Sequence, residues 1–413
     1  MRVRLLIAAA LALSVGAAAV LFSAPKKAAP PSGWKAADPP AAPGAMAPGL
    51  SLSRKGPLLS WLEPDGQGYR LRISRFVAGR WSTPVTVAGG RDFFANWADV
   101  PAVVEATDGA LVAHWLGKTQ EGTYDYEVRL ARSAPPAPPA NGTSPWSRIG
   151  VLHEDGVPAE HGFVSWIQEG PGLRAFWLDG REMPKGGPMT LRTTWVGQVG
   201  KTAEPSALLD ARVCDCCQTD AAVAAGGPVV VYRDRSDKEI RDIYVIRRTA
   251  AGWSPPVRVA ADNWYIPGCP VNGPAIAASG RRVAVAWFTG AAPGPRVQVA
   301  FSGDGGASFG KPTRIDGGRP LGRVDVALDA SGEAVVSWLE LAGAGAEVRL
   351  RRVGSDGRAG QPVTAAVTGA THASGFPRLV RTGDLLHLAW VEEGPPTRLR
   401  AASLPARALP LHR

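Results

Sequence analysis

A repeat limits what this chain can fold into more than any other feature. Seven short apolar stretches each carry an aromatic residue near their end. They are "LLSWLE" at Trp61, "LVAHWLG" at Trp115, "RAFWLDG" at Trp177, "VVVYRD" at Tyr232, "VAVAWFT" at Trp287, "AVVSWLE" at Trp338 and "LHLAWVE" at Trp390. Successive aromatics stand 54, 62, 55, 55, 51 and 52 residues apart. Strand-like segments repeating every ~50 residues belong to propellers and solenoids. The runs of Val, Leu, Ile and aromatics are short and bounded by Gly, Pro and Asp, as strands are. No long segment carries a helical period. The fold class expected is therefore all-β, a β-propeller of four-stranded blades, with seven blades favoured and six as the alternative.

Each unit reads as strands a to d. In the fifth they are "GPAIAAS", "RRVAVAWFT", "PRVQVAFS" and "KPTRID". The last unit offers only "FPRLVRT", "LLHLAWVE" and "TRLRAASL". A closing strand borrowed from residues near Trp34 to Ala41 would complete it. The c–d turns also repeat: Trp81, Trp253 and Phe309 each precede a proline by three places, at Pro84, Pro256 and Pro312. The aromatic of each turn is expected to plug the space between neighbouring sheets.

The ends divide the chain further. Arg2 and Arg4 precede an apolar run, Leu5 to Leu21, that ends in small residues. This is the layout of a signal peptide, or of an uncleaved anchor, over residues 1–23. Residues 24–48 are rich in Ala and Pro and read as a linker. The propeller is expected over 49–405, with a tail at 406–413. The chain is thus expected to be exported, periplasmic or held at the cell envelope by its N-terminus. Net charge is +10, and loss of Arg2 and Arg4 leaves +8. No basic cluster with interleaved aromatics points to nucleic acid. The partner expected is a glycan or a small anionic ligand, bound by a monomer.

In a blade, strand a lines the central channel and runs down from the top face. The d–a connections and b–c loops then share the top, and the c–d turns lie on the opposite face. The chemically unusual stretches fall on the top. "RDFFANWADVP" carries Trp97 and Asp99, and "LHEDGVPAEHGF" carries His153, Glu160 and His161. "DNWYIPGCPVNGP" carries Tyr265, Cys269 and Asn272, and "GRPLGRVDV" carries Arg323 and Asp325. "THASGFPR" carries His372 and Arg378, and the b–c loop "YRDRSDKEIRD" carries Arg235. Trp97, His161, Arg235, Asn272, Arg323, Asp325 and Arg378 are the candidate ligand-binding residues of a polar, partly aromatic pocket. Asp99 and Asp325 have a plain alternative role, satisfying turn amides.

Three of the four cysteines crowd into "CDCCQTD", as Cys214, Cys216 and Cys217, and the fourth is Cys269. The two stretches sit on neighbouring d–a connections. An oxidising compartment favours disulfides, and four cysteines allow three connectivities. A Cys216–Cys217 pair would need a strained ring. The others join Cys214 to Cys217, or to Cys216, and tie the remaining cysteine to Cys269. No cofactor is expected. The alternative is Zn or Cu held by Cys214, Cys216, Cys217 and Cys269 with His161, His153 or His372, or a redox thiol.

Ser302, Asp304, Gly306 and Phe309 fit the S-x-D-x-G-x-x-[FW] Asp-box, and with the repeats they make the chain resemble the sialidase superfamily. "CDCCQT" resembles a stretch carried by bacterial sialidase-like proteins. The resemblance implies a glycosidase site: an arginine clamp, here Arg235, Arg323 and Arg378, and a Tyr–Glu nucleophile with an Asp acid. Asp99, Tyr265 and Glu160 are the candidates for the catalytic roles. The chain departs from that pattern in reading "GLSLSRKGP" where catalytic sialidases carry R-I-P, and no tyrosine follows Tyr265.

Overall fold

The structure is a computed structural model that describes residues 31–120, 122–134, 146–197 and 205–411. The leader expected over 1–23 lies outside them. Among the described residues, no helix is long and apolar enough to cross a membrane.

Seven antiparallel sheets succeed one another along the chain, six of them each from one sequence unit. They form a seven-bladed β-propeller. The first six blades run a to d in order. In blade seven, strands Arg378–Thr382, Leu385–Glu392 and Arg398–Pro405 are joined by Lys35–Ala36, which pairs with the last of them. Trp34 packs on Trp390 with ring centroids 5.9 Å apart. The part of the expected linker from residue 31 on is therefore a structural element, and strand a of blade one already starts at Met46. The tail also packs down, since Ala406 and Leu409 are buried in the blade-seven core.

The tryptophan repeat has a physical cause. In a strand, residues i and i+2 share a face. Trp61 Nε1 donates to Glu63, Trp177 to Asp179 and Trp338 to Glu340, each at 2.8 Å. Trp287 reaches Asp262 instead, at 2.7 Å. All four indoles are fully buried, and a buried N–H requires an acceptor. In blades one, three and six, strand b thus carries a bulky core residue together with the carboxylate that satisfies it.

The c–d aromatics bridge blades as expected. Trp81 donates to the Ala37 carbonyl at 2.7 Å, locking blade one to the closing strand. Trp253 of blade four meets Phe176 of blade three edge-on at 5.7 Å. Phe309 packs into the core between blades four and five. In the Ser302–Phe309 turn, Asp304 Oδ1 accepts from the Ala307 and Ser308 amides at 2.9 and 3.0 Å, the behaviour of an Asx turn.

Around the axis, neighbouring a strands are stitched by side chains. Ser51 Oγ donates to the Val103 carbonyl, and Ser165 meets Thr219 at 2.9 Å. Asp220 accepts from the Ile276 amide, and Asp325 from the Leu379 amide, each at 2.8 Å. These bonds tie blades one to two, three to four, four to five and six to seven.

Candidate functional site

The a strands enclose an axial cavity of about 410 Å³. Asp99, Gln218, Asp220, Asp325 and Arg378 are polar residues of its wall. Burial raises the pKa of Asp220 to about 7, and the nearby Asp325 charge adds to this. Asp325 is also raised, chiefly by burial, against the pull of Arg378. Both carboxylates nevertheless hold two amides each. Asp325 thus takes the plain role left open for it. Asp99 differs: its carboxylate oxygens make no close, well-aligned hydrogen bond, and the residue is 2 % exposed. Burial holds its pKa well above the ordinary carboxylate value; the Phe163 backbone amide opposes the rise and Glu160 adds to it.

Backbone geometry holds Asp99 in place. Gly162 lies so close that a Cβ there would meet Asp99 Oδ2 at 1.9 Å. Only glycine permits that approach. The next residue, Phe163, has φ 54°. Phe163, Glu239, Asn263, Val271 and Arg323 are five of the seven non-glycine residues with positive φ among those described. All five lie on the top-face segments, and such strain gathers where geometry is over-determined for a purpose.

Beside Asp99, Tyr126 donates its hydroxyl to Glu160 Oε1 at 2.7 Å. Phe94 stacks on the Tyr126 ring at 4.2 Å, and Tyr126 is buried. Burial raises Glu160 to about 7; the Tyr126 hydrogen bond opposes this and the Asp215 charge supports it. The tyrosine paired with Glu160 is therefore Tyr126. Tyr265 is 64 % exposed and bridges Ile240 through its backbone. Tyr126 escapes a reading of the sequence because it opens strand c of blade two rather than lying on a d–a connection.

The arginine clamp does not form. Arg235 is spent on Glu239 and Asp215. Arg323 is buried and donates to the Thr371 and Gly375 carbonyls and to Ser374 Oγ. Its main-chain amide donates to Asn272 Oδ1 at 2.7 Å, so Asn272 also serves the loops. Burial lowers the Arg323 pKa to about 10. Only Arg378 faces the cavity. Trp97 is covered too, with His372 stacked on it at 4.3 Å and the Arg323 guanidinium 4.7 Å from its ring centre.

His161 is fully buried and stacks on His153 at 3.7 Å. Asp155 Oδ2 receives three cationic or polar neighbours: His153 Nδ1 at 3.0 Å, Arg181 Nη2 at 3.1 Å and His161 Nε2 at 3.3 Å. Burial works against a charge on His161, but Asp155 and Asp179 outweigh it and raise its pKa. His153, Asp155 and His161 bring three donor atoms within 4.8 Å. Arg181 already supplies the positive charge there.

Cys216 and Cys269 form a disulfide that joins the two d–a connections flanking blade four. It takes two thiols out of the metal set considered from sequence, and His161 sits in its own network. Cys214 and Cys217 are free thiols, both buried, with Sγ atoms 2.9 Å apart. Arg241 Nη1 is 3.3 Å from Cys214 Sγ. Burial opposes a charge on Cys214, yet the Cys217 hydrogen bond and Arg233 lower its pKa. Burial raises Cys217, which keeps the shared proton.

No family model matches the chain, and no curated protein matches it. Solved structures do. The chain is similar to an ulvan lyase of polysaccharide lyase family PL25, with TM-score 0.58 and 9 % identity over 90 % of this chain and 96 % of that one. It is similar to the polysaccharide lyase Uly1, with TM-score 0.53 and 8 % identity over 87 % and 90 %. It is similar to an α-L-arabinofuranosidase from Fusarium graminearum, with TM-score 0.50 and 13 % identity over 91 % and 98 %. At these identities the likeness is one of fold.

Proposed function

We propose that this chain is an exported propeller that binds a glycan at the top of its axis and cleaves it by proton transfer. The observation that carries the reading is the group formed by Glu160, Tyr126 and Asp99. Proton transfer at neutral pH wants a group whose pKa lies near 7. Glu160 is raised to about 7 and remains partly accessible. Asp99 is a second raised carboxyl, and Tyr126 orients Glu160. The fold neighbours include two polysaccharide lyases and an arabinofuranosidase, one of them solved with -[GlcA(1-4)Rha3S]- bound. The wall is richer in carboxylates than in arginines, so sialic acid recognition by a triple clamp is not the model. Arg378 is the residue assigned to any acidic group of the ligand. Export rests on the leader-like N-terminus and on the disulfide, which suits an oxidising compartment.

The test has two parts. The purified chain is screened on a glycan array and against soluble polysaccharides, with new reducing ends and unsaturated products both assayed. Glu160→Gln should keep retention on the array and lose at least ~100-fold in turnover. No retention of any glycan, or full turnover in Glu160→Gln, refutes the proposal.

A further inference from the structure

The catalytic reading leaves the cysteines unused. Their arrangement is more than a staple. The disulfide Cys216–Cys269 stands at the surface, with Cys269 exposed. Directly beneath it lie two buried thiols, Cys214 and Cys217, 2.9 Å apart. The sulfurs of Cys214, Cys216 and Cys217 all fall within 4.8 Å of one another. Cys269 also borders a recess of about 490 Å³, together with Asp215, Arg235, Glu239 and Arg241.

The charges around the buried pair decide between sulfur chemistry and metal binding. Arg233 is 1 % exposed and donates to the carbonyls of Asn272, Arg241 and Phe288. No carboxylate pairs with it among the described residues. Arg241 touches Cys214 Sγ directly. Arg241 also pairs with Glu239 at 2.9 Å, but Arg233 has no such carboxylate among the described residues; a nearby anion stabilises a buried guanidinium, and a Cys214 thiolate would supply one. Two fixed cations beside the sulfurs favour a thiolate nucleophile and oppose a metal ion.

We propose that the four cysteines form a thiol–disulfide exchange site, in which oxidation passes between the surface pair and the buried pair through Cys216. The Cys214 thiolate attacks Cys216 Sγ. A Cys214–Cys216 bond forms, the Cys216–Cys269 bond breaks, and Cys269 leaves as a thiolate. Cys217 then attacks Cys214 Sγ, forming Cys214–Cys217 and releasing Cys216. The proton of Cys217 passes to the released sulfurs. No electrons are gained or lost in these two steps. The surface pair, now a dithiol, reduces an external disulfide, which supplies the oxidant and leaves as two thiols. Cys216–Cys269 is restored, and the chain carries two disulfides. The partner class is thus a disulfide or dithiol of another molecule, admitted at the recess beside Cys269.

The full chain is equilibrated with reduced and oxidised glutathione at a series of ratios and quenched in acid. It is then alkylated under denaturing conditions, with and without a chelator, and its pairings are read by fragmentation mass spectrometry. The expected result is a one-disulfide chain containing both Cys216–Cys269 and Cys214–Cys217 forms, then a two-disulfide chain at the oxidising end. Cys214 and Cys217 remaining thiols at every ratio would overturn the proposal. So would thiols that react only once the chelator has removed a bound metal. These readings use the unmodified chain and do not depend on a variant folding. In Cys216→Ser, oxidation of the buried pair by oxidised glutathione should slow at least ~10-fold, because its access route is gone. An unchanged rate overturns the relay.

Discussion

At the residue scale, the site works by denying water to charged groups. Glu160 ordinarily titrates at 4.5 and is raised to about 7 here. A carboxyl raised in the folded state contributes stability that is complete below the unfolded pKa and is lost as pH rises through the folded one. The chain should therefore be less stable at pH 8 than at pH 5. Glu160 accounts for up to ~3 kcal/mol of that difference, and Asp99 and Asp220 act in the same direction. Glu160→Gln keeps an acceptor for Tyr126 and removes the charge. Urea unfolding at the two pH values should show a smaller pH difference in the variant; an identical difference would show that Glu160 is not the buried titrating group. The same scale explains which residue readings failed. Arg235 and Arg323 do lie near the face expected for a clamp. A sequence cannot show that Glu239 and Asp215, or the Thr371 and Gly375 carbonyls, have already claimed their donors.

At the scale of elements, closure depends on a two-residue strand. Lys35–Ala36 adds the fourth strand to blade seven. Its neighbours Trp34, Ala37 and Asp38 contact Trp390, Trp81 and Arg400. A chain lacking residues 1–40 should lose ~3 kcal/mol, from a few hydrogen bonds and one buried indole face. Hydrogen exchange should accelerate at Arg398–Pro405 and stay unchanged at Gly227–Arg233 of blade four. Equal protection at Arg398–Pro405 with and without the strand would mean that the ring does not need this clasp. The strand itself was legible because blade seven was visibly one strand short. Its shortness was not, since "GWKAADPP" carries no alternating pattern.

At the scale of the whole molecule, the described residues form no layer over the propeller, so each blade is held by its two neighbours. The axial bonds of Ser51, Ser165, Asp220 and Asp325 serve four of these joints. The Cys216–Cys269 bridge adds a covalent link across blade four, with a sequence separation of 53. Chain entropy assigns such a loop about 4 kcal/mol. Cys269→Ser should unfold at lower denaturant than the parent chain under oxidising conditions and at the same denaturant as the parent chain when both are unfolded under reducing conditions. A variant as stable as the oxidised chain would show that blade packing alone holds these loops.

The sequence by itself determined the architecture. The spacing of its aromatics, the turns between strands and the missing fourth strand of the last unit are all local patterns. Six of the seven blades are each built from one contiguous stretch, and the seventh borrows only Lys35–Ala36, so local pattern and global fold largely coincide. Only the tertiary structure decided the site. The Tyr126–Glu160 pair joins residues 34 apart in the chain, and the buried Asp99 is held by Gly162 and Phe163 of the next blade. Likewise, three cysteines in four positions left the pairing open, and the placement of Cys269 over Cys216 settled which sulfurs bond and which remain beside Arg241. Partners of this kind are chosen by burial and distance across blades, and neither is written in the order of residues along one blade.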